Sequence, residues 1–270
     1  MATGFADVNG GKLYFELDGQ GPALVMIHGG LVNHHLWDEQ FDYFVHHGYQ
    51  VLRYDVRGLG QSSLPDQSFS HHADLDLLLD SLGIERAVIM GLSMGGSIAI
   101  DFTLAYPDKV EALIPVAAGL SGYQNQSEIN KQMNQAIHAA YDKGDKAQAV
   151  ELSLQLWTDG PNRAHSHIDP MVREKVRAMT TEVFDLPDDD NSFLQALEPP
   201  AIDRLAEIQV PTLFIVGDQD VPDILDIADI VTTQVPGAQK IIVPNTAHHL
   251  NLERPAEFND IVLDFLKSLQ

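Results

Sequence analysis

Ser93 lies between glycines in the stretch RAVIMGLSMGGSIAID, residues 86–101. The apolar run before it is typical of a buried strand, and the apolar residues after it suit a helix. The pentapeptide Gly-Leu-Ser-Met-Gly matches Gly-x-Ser-x-Gly, a pattern in which a serine on a tight strand-to-helix turn acts as a nucleophile. A helix N-terminus also favours negative charge that develops near the hydroxyl. A purely structural turn is the alternative, so the rest of the chain must supply a base and an acid.

A serine nucleophile needs an adjacent base, and histidine commonly serves. The chain has 12 histidines. His248 follows the last predicted strand, in KIIVPNTAH, and precedes the C-terminal helix. Parallel strands open a crevice at their carboxyl ends, so His248 is expected at the same sheet edge as Ser93. Its neighbour His249 is the direct rival. With no cysteine and no His-Glu-x-x-His pattern, we expect no metal site.

An acidic side chain is needed to orient the imidazole and to stabilise its charged form. The predicted strand PTLFIV is followed by three aspartates: Asp218, Asp220 and Asp223. The strand ending in IPVAAGLSG has no acid directly behind it. Asp218 suits a turn at the end of its strand, whereas Asp220 lies further out, before the next helix. We predict Asp220 as the acid, with Asp218 as the alternative.

The elements that must position these side chains are those of a mostly parallel α/β sheet with an antiparallel N-terminal edge and helices on both faces. Residues 4–17 alternate around Asn9-Gly10, a strong hairpin signal. Segments with helical spacing, such as 71–83 and 255–269, separate further strands. Short apolar runs typical of strands covered on both faces follow the hairpin, at 23–27, 51–55, 87–90, 110–117, 211–216 and 240–244.

One stretch breaks this alternation. Residues 121–205 contain no convincing strand and several helix-like pieces, such as NKQMNQAIHAAYDKG. We expect a helical cap inserted into an α/β core formed by 1–120 and 206–270, because the last two strands must rejoin the first sheet. The acidic run PDDDN at 187–191 is expected to be a solvated loop.

Composition narrows the function classes. The chain has 270 residues, 44% of them hydrophobic, and a formal net charge of −23. So acidic a chain is unsuited to binding phosphate backbones or anionic membranes, and we expect neither nucleic acid nor membrane as a partner. No run of about 18 apolar residues and no secretory signal is visible, so a cytoplasmic location is expected. The oligomeric state is left open, with a homodimer as one option.

Five segments, in this order, resemble the α/β-hydrolase fold family. The resemblance extends from end to end apart from the helical insertion. Within the family, the chain resembles the 3-oxoadipate enol-lactonase-like and the cofactor-free serine esterase or perhydrolase groups. The five segments are MIHGG at 26–30, YDVRGLGQSS at 54–63, GLSMGG at 91–96, VGDQD at 216–220 and AHHLNLERP at 247–255.

The resemblance implies roles for several residues. The family's catalytic histidine lies seven residues before a proline, which favours His248 (relative to Pro255) over His249. The backbone N–H groups of Gly30 and Met94 would form the oxyanion hole. His28 would have a structural role, as would Asp55 and Arg57, although Arg57 is also placed to touch substrate.

The expected activity is hydrolysis of a small carboxylic ester or lactone through an acyl-enzyme on Ser93, without a cofactor. The same triad can serve carbon–carbon bond hydrolysis or perhydrolysis, and the scaffold can also serve as a non-catalytic ligand receptor, because fold alone does not fix the reaction. The short loop HGGLVNHH argues against the carbon–carbon branch. Four residues are expected to line the substrate pocket: Leu31, Trp37, Trp157 and His249.

Overall fold

Eight strands form one sheet in the computed structural model, which describes residues 1–187 and 192–269. The strands are β1 Ala2–Val8, β2 Gly11–Asp18, β3 Ala23–Ile27, β4 Gln50–Tyr54, β5 Ala87–Leu92, β6 Val110–Val116, β7 Leu213–Gly217 and β8 Gln239–Val243. Their order across the sheet is β1-β2-β4-β3-β5-β6-β7-β8. β2 pairs antiparallel with both β1 and β4, and all other pairings are parallel. The predicted mostly parallel sheet with an antiparallel N-terminal edge is confirmed.

Helices connect the strands and cover the sheet. Every residue of β3 and β5 is buried. Because successive side chains of a strand point to opposite faces, this burial requires cover on both sides of the sheet. The helices are α1 Asp38–His46, α2 His71–Leu82, α3 Met94–Ala105, α4 Glu128–Asp142, α5 Lys146–Ser153, α6 Pro170–Asp185, α7 Pro222–Gln234, α8 Leu250–Glu253 and α9 Pro255–Ser268.

The local signals read from the sequence have their expected consequences. The hairpin turns at Asn9-Gly10, with Val8 paired to Gly11. Gly83, with φ 68°, caps the C-terminus of α2, and Pro255 occupies the first turn of α9, where its missing N–H costs nothing. The C-terminal ends of β5, β7 and β8 consequently lie along one edge of the sheet, because these strands run parallel.

The segment between β6 and β7 is helical. Across the described residues 117–187 and 192–212 it contains α4, α5 and α6, and no strand. α5 continues into a π-helical stretch, Leu154–Asp159. Residues 188–191, most of the predicted acidic loop, lie outside the described residues. None of the described helices combines the length and apolar character needed to cross a membrane.

Candidate active site

Ser93 occupies the turn between β5 and α3, with φ 57° and ψ −114°. This region is sparsely populated by residues other than glycine. The flanking glycines make the turn possible by allowing close backbone approach. A Cβ at Gly91 would lie 2.1 Å from the Gly95 carbonyl oxygen, and a Cβ at Gly95 would lie 2.3 Å from the Ile27 carbonyl oxygen. Glycine is therefore required at both positions for the strand, the turn and the helix to pack.

Three hydrogen bonds hold the strained backbone of Ser93. Its N–H donates to the Val116 carbonyl oxygen at 3.0 Å, and its own carbonyl oxygen accepts from Ser97 N at 3.0 Å and Gly119 N at 2.9 Å. Two of these partners belong to β6 and to the loop that follows it. The conformation of the turn is thus imposed by the adjoining sheet as well as by its own helix.

His248 lies in the loop after β8. Its Nδ1 is 2.8 Å from Asp220 Oδ2, and both side chains are buried. Its backbone N–H donates to the Trp157 carbonyl oxygen at 3.2 Å, and its ring centroid is 4.6 Å from that of Trp157. The imidazole is therefore held from two sides, by Trp157 of the helical segment and by the Asp220 carboxylate of the loop after β7.

The three aspartates after β7 have different partners. Asp220 contacts His248, and its other oxygen accepts from Val221 N at 2.7 Å. Asp218 accepts from Asn245 N at 2.7 Å and braces the loop that carries His248. Asp223 accepts from the backbone N–H groups that precede α4. The geometry thus places the predicted acid, and not its alternative, on the imidazole.

The two predicted oxyanion donors are neighbours. A Cβ at Gly30 would lie 3.9 Å from Met94 Cβ, so the loop after β3 and the first turn of α3 meet there. Within the described residues, neither N–H donates to a protein acceptor. Such free, fixed N–H groups beside a nucleophile can stabilise an alkoxide.

A cavity of about 530 Å³ lies between the core and the helical segment and includes Ser93, His248, Gly30 and Met94 in its wall. Leu31, Trp157 and His249, all predicted for the pocket, also line it. α4 and α6 supply much of the remaining wall: Asn134, Ile137, His138, Tyr141, Val176, Thr180, Val183 and Phe184.

Trp37 does not line this cavity, which corrects the sequence-based expectation. It is fully buried at the start of α1 and packs against Phe258 of α9, with ring centroids 6.1 Å apart. A large aromatic residue close in sequence to the oxyanion loop is equally suited to the core, and Trp37 packs in the core.

A second cavity, of about 630 Å³, also reaches Ser93. Trp157 borders both cavities, whereas His248 lines only the first. Amide side chains are frequent in the wall of the second cavity: Asn125, Asn130, Asn134 and Gln135. Ser93 thus borders two cavities with chemically different walls.

The three residues to which the family resemblance gives a structural role all bind other parts of the protein. His28 Nε2 accepts from Val56 N at 2.9 Å, and Asp55 accepts from the backbone N–H of His34 at 2.9 Å. Arg57 makes a two-point ion pair with Asp74, at 2.6 and 2.8 Å. The side chain of Arg57 is fully buried, so the contact of this residue with the cavity is through its main chain.

Two further histidines in the cavity wall are kept neutral by their surroundings. Burial, reinforced by the nearby charge of Arg57, lowers the pKa of His71 to about 4. Burial, with His248 adjacent, lowers the pKa of His249 to about 3. The cavity therefore offers uncharged imidazoles at neutral pH.

Two residues in and around the site, Thr158 of the cavity wall and Arg163 behind it, were not found from the sequence. Thr158 contacts His249, and Arg163 ties the π-helical stretch to the His248 loop. Both lie in the helical segment, whose local pattern predicts helices but not their orientation over the core. Local sequence carries no signal that would have identified them.

Comparison with known proteins agrees with this geometry. The family model for the alpha/beta hydrolase fold matches residues 22–255. The carboxylesterase YbfK of Bacillus subtilis (strain 168) is 27% identical over 91% of this chain and 80% of its own. A 2-hydroxy-6-oxononadienedioate/2-hydroxy-6-oxononatrienedioate hydrolase of Burkholderia vietnamiensis is 26% identical over 95% of this chain and 91% of its own.

Among solved structures, Est816, described as an N-acyl homoserine lactone degrading enzyme, superposes with a TM-score of 0.76 at 26% identity. The match covers 97% of this chain and 100% of that one. The chain belongs to the α/β-hydrolase fold family, as its motifs indicate. Its relatives include hydrolases of esters, lactones and carbon–carbon bonds, so the bond that it cleaves must be argued from the site.

Proposed function

We propose that this protein is a serine hydrolase that cleaves small, uncharged carboxylic esters or lactones through an acyl-enzyme on Ser93. The observation that carries the proposal is the hydrogen bond between His248 Nδ1 and the buried Asp220, because His248 and Ser93 line the same cavity. An imidazole held in this way has Nε2 as its free nitrogen, which is the nitrogen that a neighbouring hydroxyl requires.

The chemistry follows in four steps. His248 accepts the Ser93 proton as the hydroxyl oxygen attacks the carbonyl carbon. Asp220 stabilises the resulting imidazolium, and the N–H groups of Gly30 and Met94 bind the oxyanion. His248 then protonates the leaving oxygen, which leaves the acyl group on Ser93. Water, activated by the same imidazole, releases the acid and restores the enzyme.

The charge of the wall supports an uncharged substrate. Among the described residues lining the first cavity, Arg57 is the one Lys or Arg, and its guanidinium is sealed against Asp74. A substrate carboxylate would lose its hydration without gaining a cation, and this is costly. The dioate substrates named for the Burkholderia relative fit this wall poorly, which makes carbon–carbon hydrolysis of such acids the weaker proposal.

The helical segment is proposed to act as the cap that selects the substrate, since it supplies half of the residues in the cavity wall. Its side chains there are mainly apolar, with polar groups at isolated points. A cavity of about 530 Å³ has room for both the acyl group and the alcohol of a small-molecule ester, or for a lactone.

The test combines active-site labelling with a substrate panel. A serine-reactive phosphonate should label the wild type at Ser93 and should leave Ser93→Ala unlabelled. p-Nitrophenyl esters of graded chain length, tested beside a set of lactones, would identify the preferred acyl group. Equal labelling of both proteins, or tight binding of esters without any turnover, would contradict the proposal and favour a receptor on this scaffold.

A further inference from the structure

His249 has a position that the proposed triad chemistry leaves unused. It directly follows His248, is 4% exposed, and lines the same cavity. Its ring lies nearly perpendicular to that of His248, at 86° with centroids 5.7 Å apart. A second imidazole therefore lies immediately beside the one that handles the proton.

The contact with Thr158 fixes which nitrogen of His249 carries hydrogen. Thr158 is fully buried, and its hydroxyl oxygen lies 3.2 Å from His249 Nδ1. No other partner of this hydroxyl occurs within residues 1–187 and 192–269. If Nδ1 carried the proton, the threonine O–H would be buried without an acceptor, and this is unfavourable. The hydroxyl therefore donates to Nδ1, and the neutral ring carries its proton on Nε2.

The Nε2–H group has no protein acceptor in the described chain, yet it is not sealed. Trp37 Nε1, by contrast, is a nitrogen that is both fully buried and without a hydrogen-bond partner. His249 Nε2 is not among the fully buried, unpartnered atoms of the described chain. Since His249 is almost wholly buried but belongs to the cavity wall, the exposure of Nε2 is to the cavity.

We propose that His249 Nε2–H is a specificity-determining donor that selects substrates with an uncharged oxygen acceptor, such as an ether or ketone oxygen, in the leaving group. The inference rests on the proposed function. His248 must contact the leaving oxygen in order to protonate it, and it lines only the first cavity, so the leaving group belongs there beside His249. An alkyl group of the same size would leave the N–H without a partner, and sites built around a polar group discriminate against such analogues.

The experiment compares two esters that differ by one atom. The 2-methoxyethyl and n-butyl esters of the acid preferred in the p-nitrophenyl series have leaving groups of nearly equal shape, with an oxygen in place of a methylene. Each kcat/KM is divided by the rate of alkaline hydrolysis of the same ester, which removes the difference in leaving-group reactivity. We expect the wild type to prefer the methoxyethyl ester by about 3- to 10-fold, the effect of one neutral hydrogen bond.

The variants separate this donor from a purely structural histidine. His249→Phe removes Nε2 and should bring the ratio to about one, whereas His249→Gln keeps an N–H near that position and should retain the preference. Thr158→Val removes the hydroxyl that keeps the proton on Nε2, so the ring can adopt either tautomer. Its ratio should lie between those of the wild type and His249→Phe. His138→Phe removes an imidazole elsewhere in the same wall and should leave the ratio as in the wild type.

Each outcome is decisive. A wild-type ratio near one, or a preference that survives in His249→Phe, overturns the inference while ester turnover itself upholds the proposed function. Absence of both turnover and phosphonate labelling in the wild type defeats the proposed function, and the inference falls with it.

Discussion

Ser93, the proposed nucleophile, has an unfavourable backbone conformation. A residue with a side chain at φ 57° and ψ −114° costs on the order of 1–3 kcal/mol, which the hydrogen bonds from β6 and the following loop must offset. The strain keeps the hydroxyl in the cavity wall. The position of the proposed nucleophile is thus obtained at a local cost in stability.

Comparing Ser93→Gly with Ser93→Ala should expose that strain. Both variants lose the hydroxyl and hence activity, but only glycine adopts this conformation freely. We expect Ser93→Gly to exceed Ser93→Ala in free energy of unfolding by about 1 kcal/mol, after the greater flexibility of glycine in the unfolded chain is included. Urea denaturation measures this difference. An alanine variant as stable as the glycine variant would show that the turn is not strained.

The two aspartates left open by the sequence should differ sharply in function. Asp220→Asn keeps the size of the side chain but removes the charge beside His248, and kcat should fall by about 10³- to 10⁴-fold. Asp218→Asn alters only the brace to Asn245 N and should lower kcat by less than about tenfold. Steady-state kinetics of both variants is the measurement. A larger effect at residue 218 would reverse their roles.

Sequence reasoning narrows the acid to the aspartates after β7 and favours Asp220, but it has to keep Asp218, separated from Asp220 only by Gln219, as the alternative. The choice depends on which carboxylate faces the β8 loop, a tertiary property. The same limit explains why the contact between Thr158 and His249 was not predicted, since it joins residues 91 positions apart. It also explains the wrong prediction for Trp37, because an aromatic residue after the oxyanion loop can point into the cavity or toward α9.

At the scale of elements, the π-helical stretch connects the helical segment to the proposed catalytic loop. Arg163 donates to the carbonyl oxygens of Thr158 and Asp159 on one side and to Asn245 on the other. It also makes a two-point ion pair with Glu253, which in turn accepts from Ala247 N. π-Helical turns are frequent at functional sites, and this one carries Trp157 against His248.

Removing Arg163 should therefore weaken both stability and catalysis. Arg163→Met leaves the buried Glu253 carboxylate without its cation, and the free energy of unfolding should fall by about 3 kcal/mol. Looser placement of His248 should lower kcat by about tenfold, with little change in KM. Adding Glu253→Gln to this variant removes the unpaired charge and should recover part of the stability. If the double variant is less stable than Arg163→Met, the ion pair is not the cause.

For the whole molecule, the sheet was the most predictable feature. Apolar runs of four to eight residues, separated by segments with helical spacing, specify parallel strands, and right-handed connections leave few ways to order them. The helical segment was predictable in content but not in placement. Its wall residues reach the cavity through packing between helices. Hydrophobic periodicity and helix propensity do not specify that packing. The part of the site formed by the core could therefore be predicted, whereas in the helical segment only Trp157 was predicted for the cavity wall.

The histidines held neutral inside the molecule should make its stability depend on pH. In the folded chain burial lowers the pKa of His249 to about 3, whereas in the unfolded chain the group titrates near 6.5. Between these values the unfolded state binds more protons, so acidification favours unfolding; the effect is absent well above pH 6.5 and complete below about pH 3.

From pH 7.5 to pH 5 this one residue should lower the free energy of unfolding by about 2 kcal/mol. Urea denaturation of the wild type and of His249→Phe at both pH values isolates that contribution from the carboxylates common to both proteins. The stability of the wild type relative to the variant should decrease by this amount at the lower pH. Thr158→Val retains the titrating ring and should follow the wild type, whereas a constant difference between the wild type and His249→Phe would mean that His249 is protonated in the folded protein as readily as in the unfolded one.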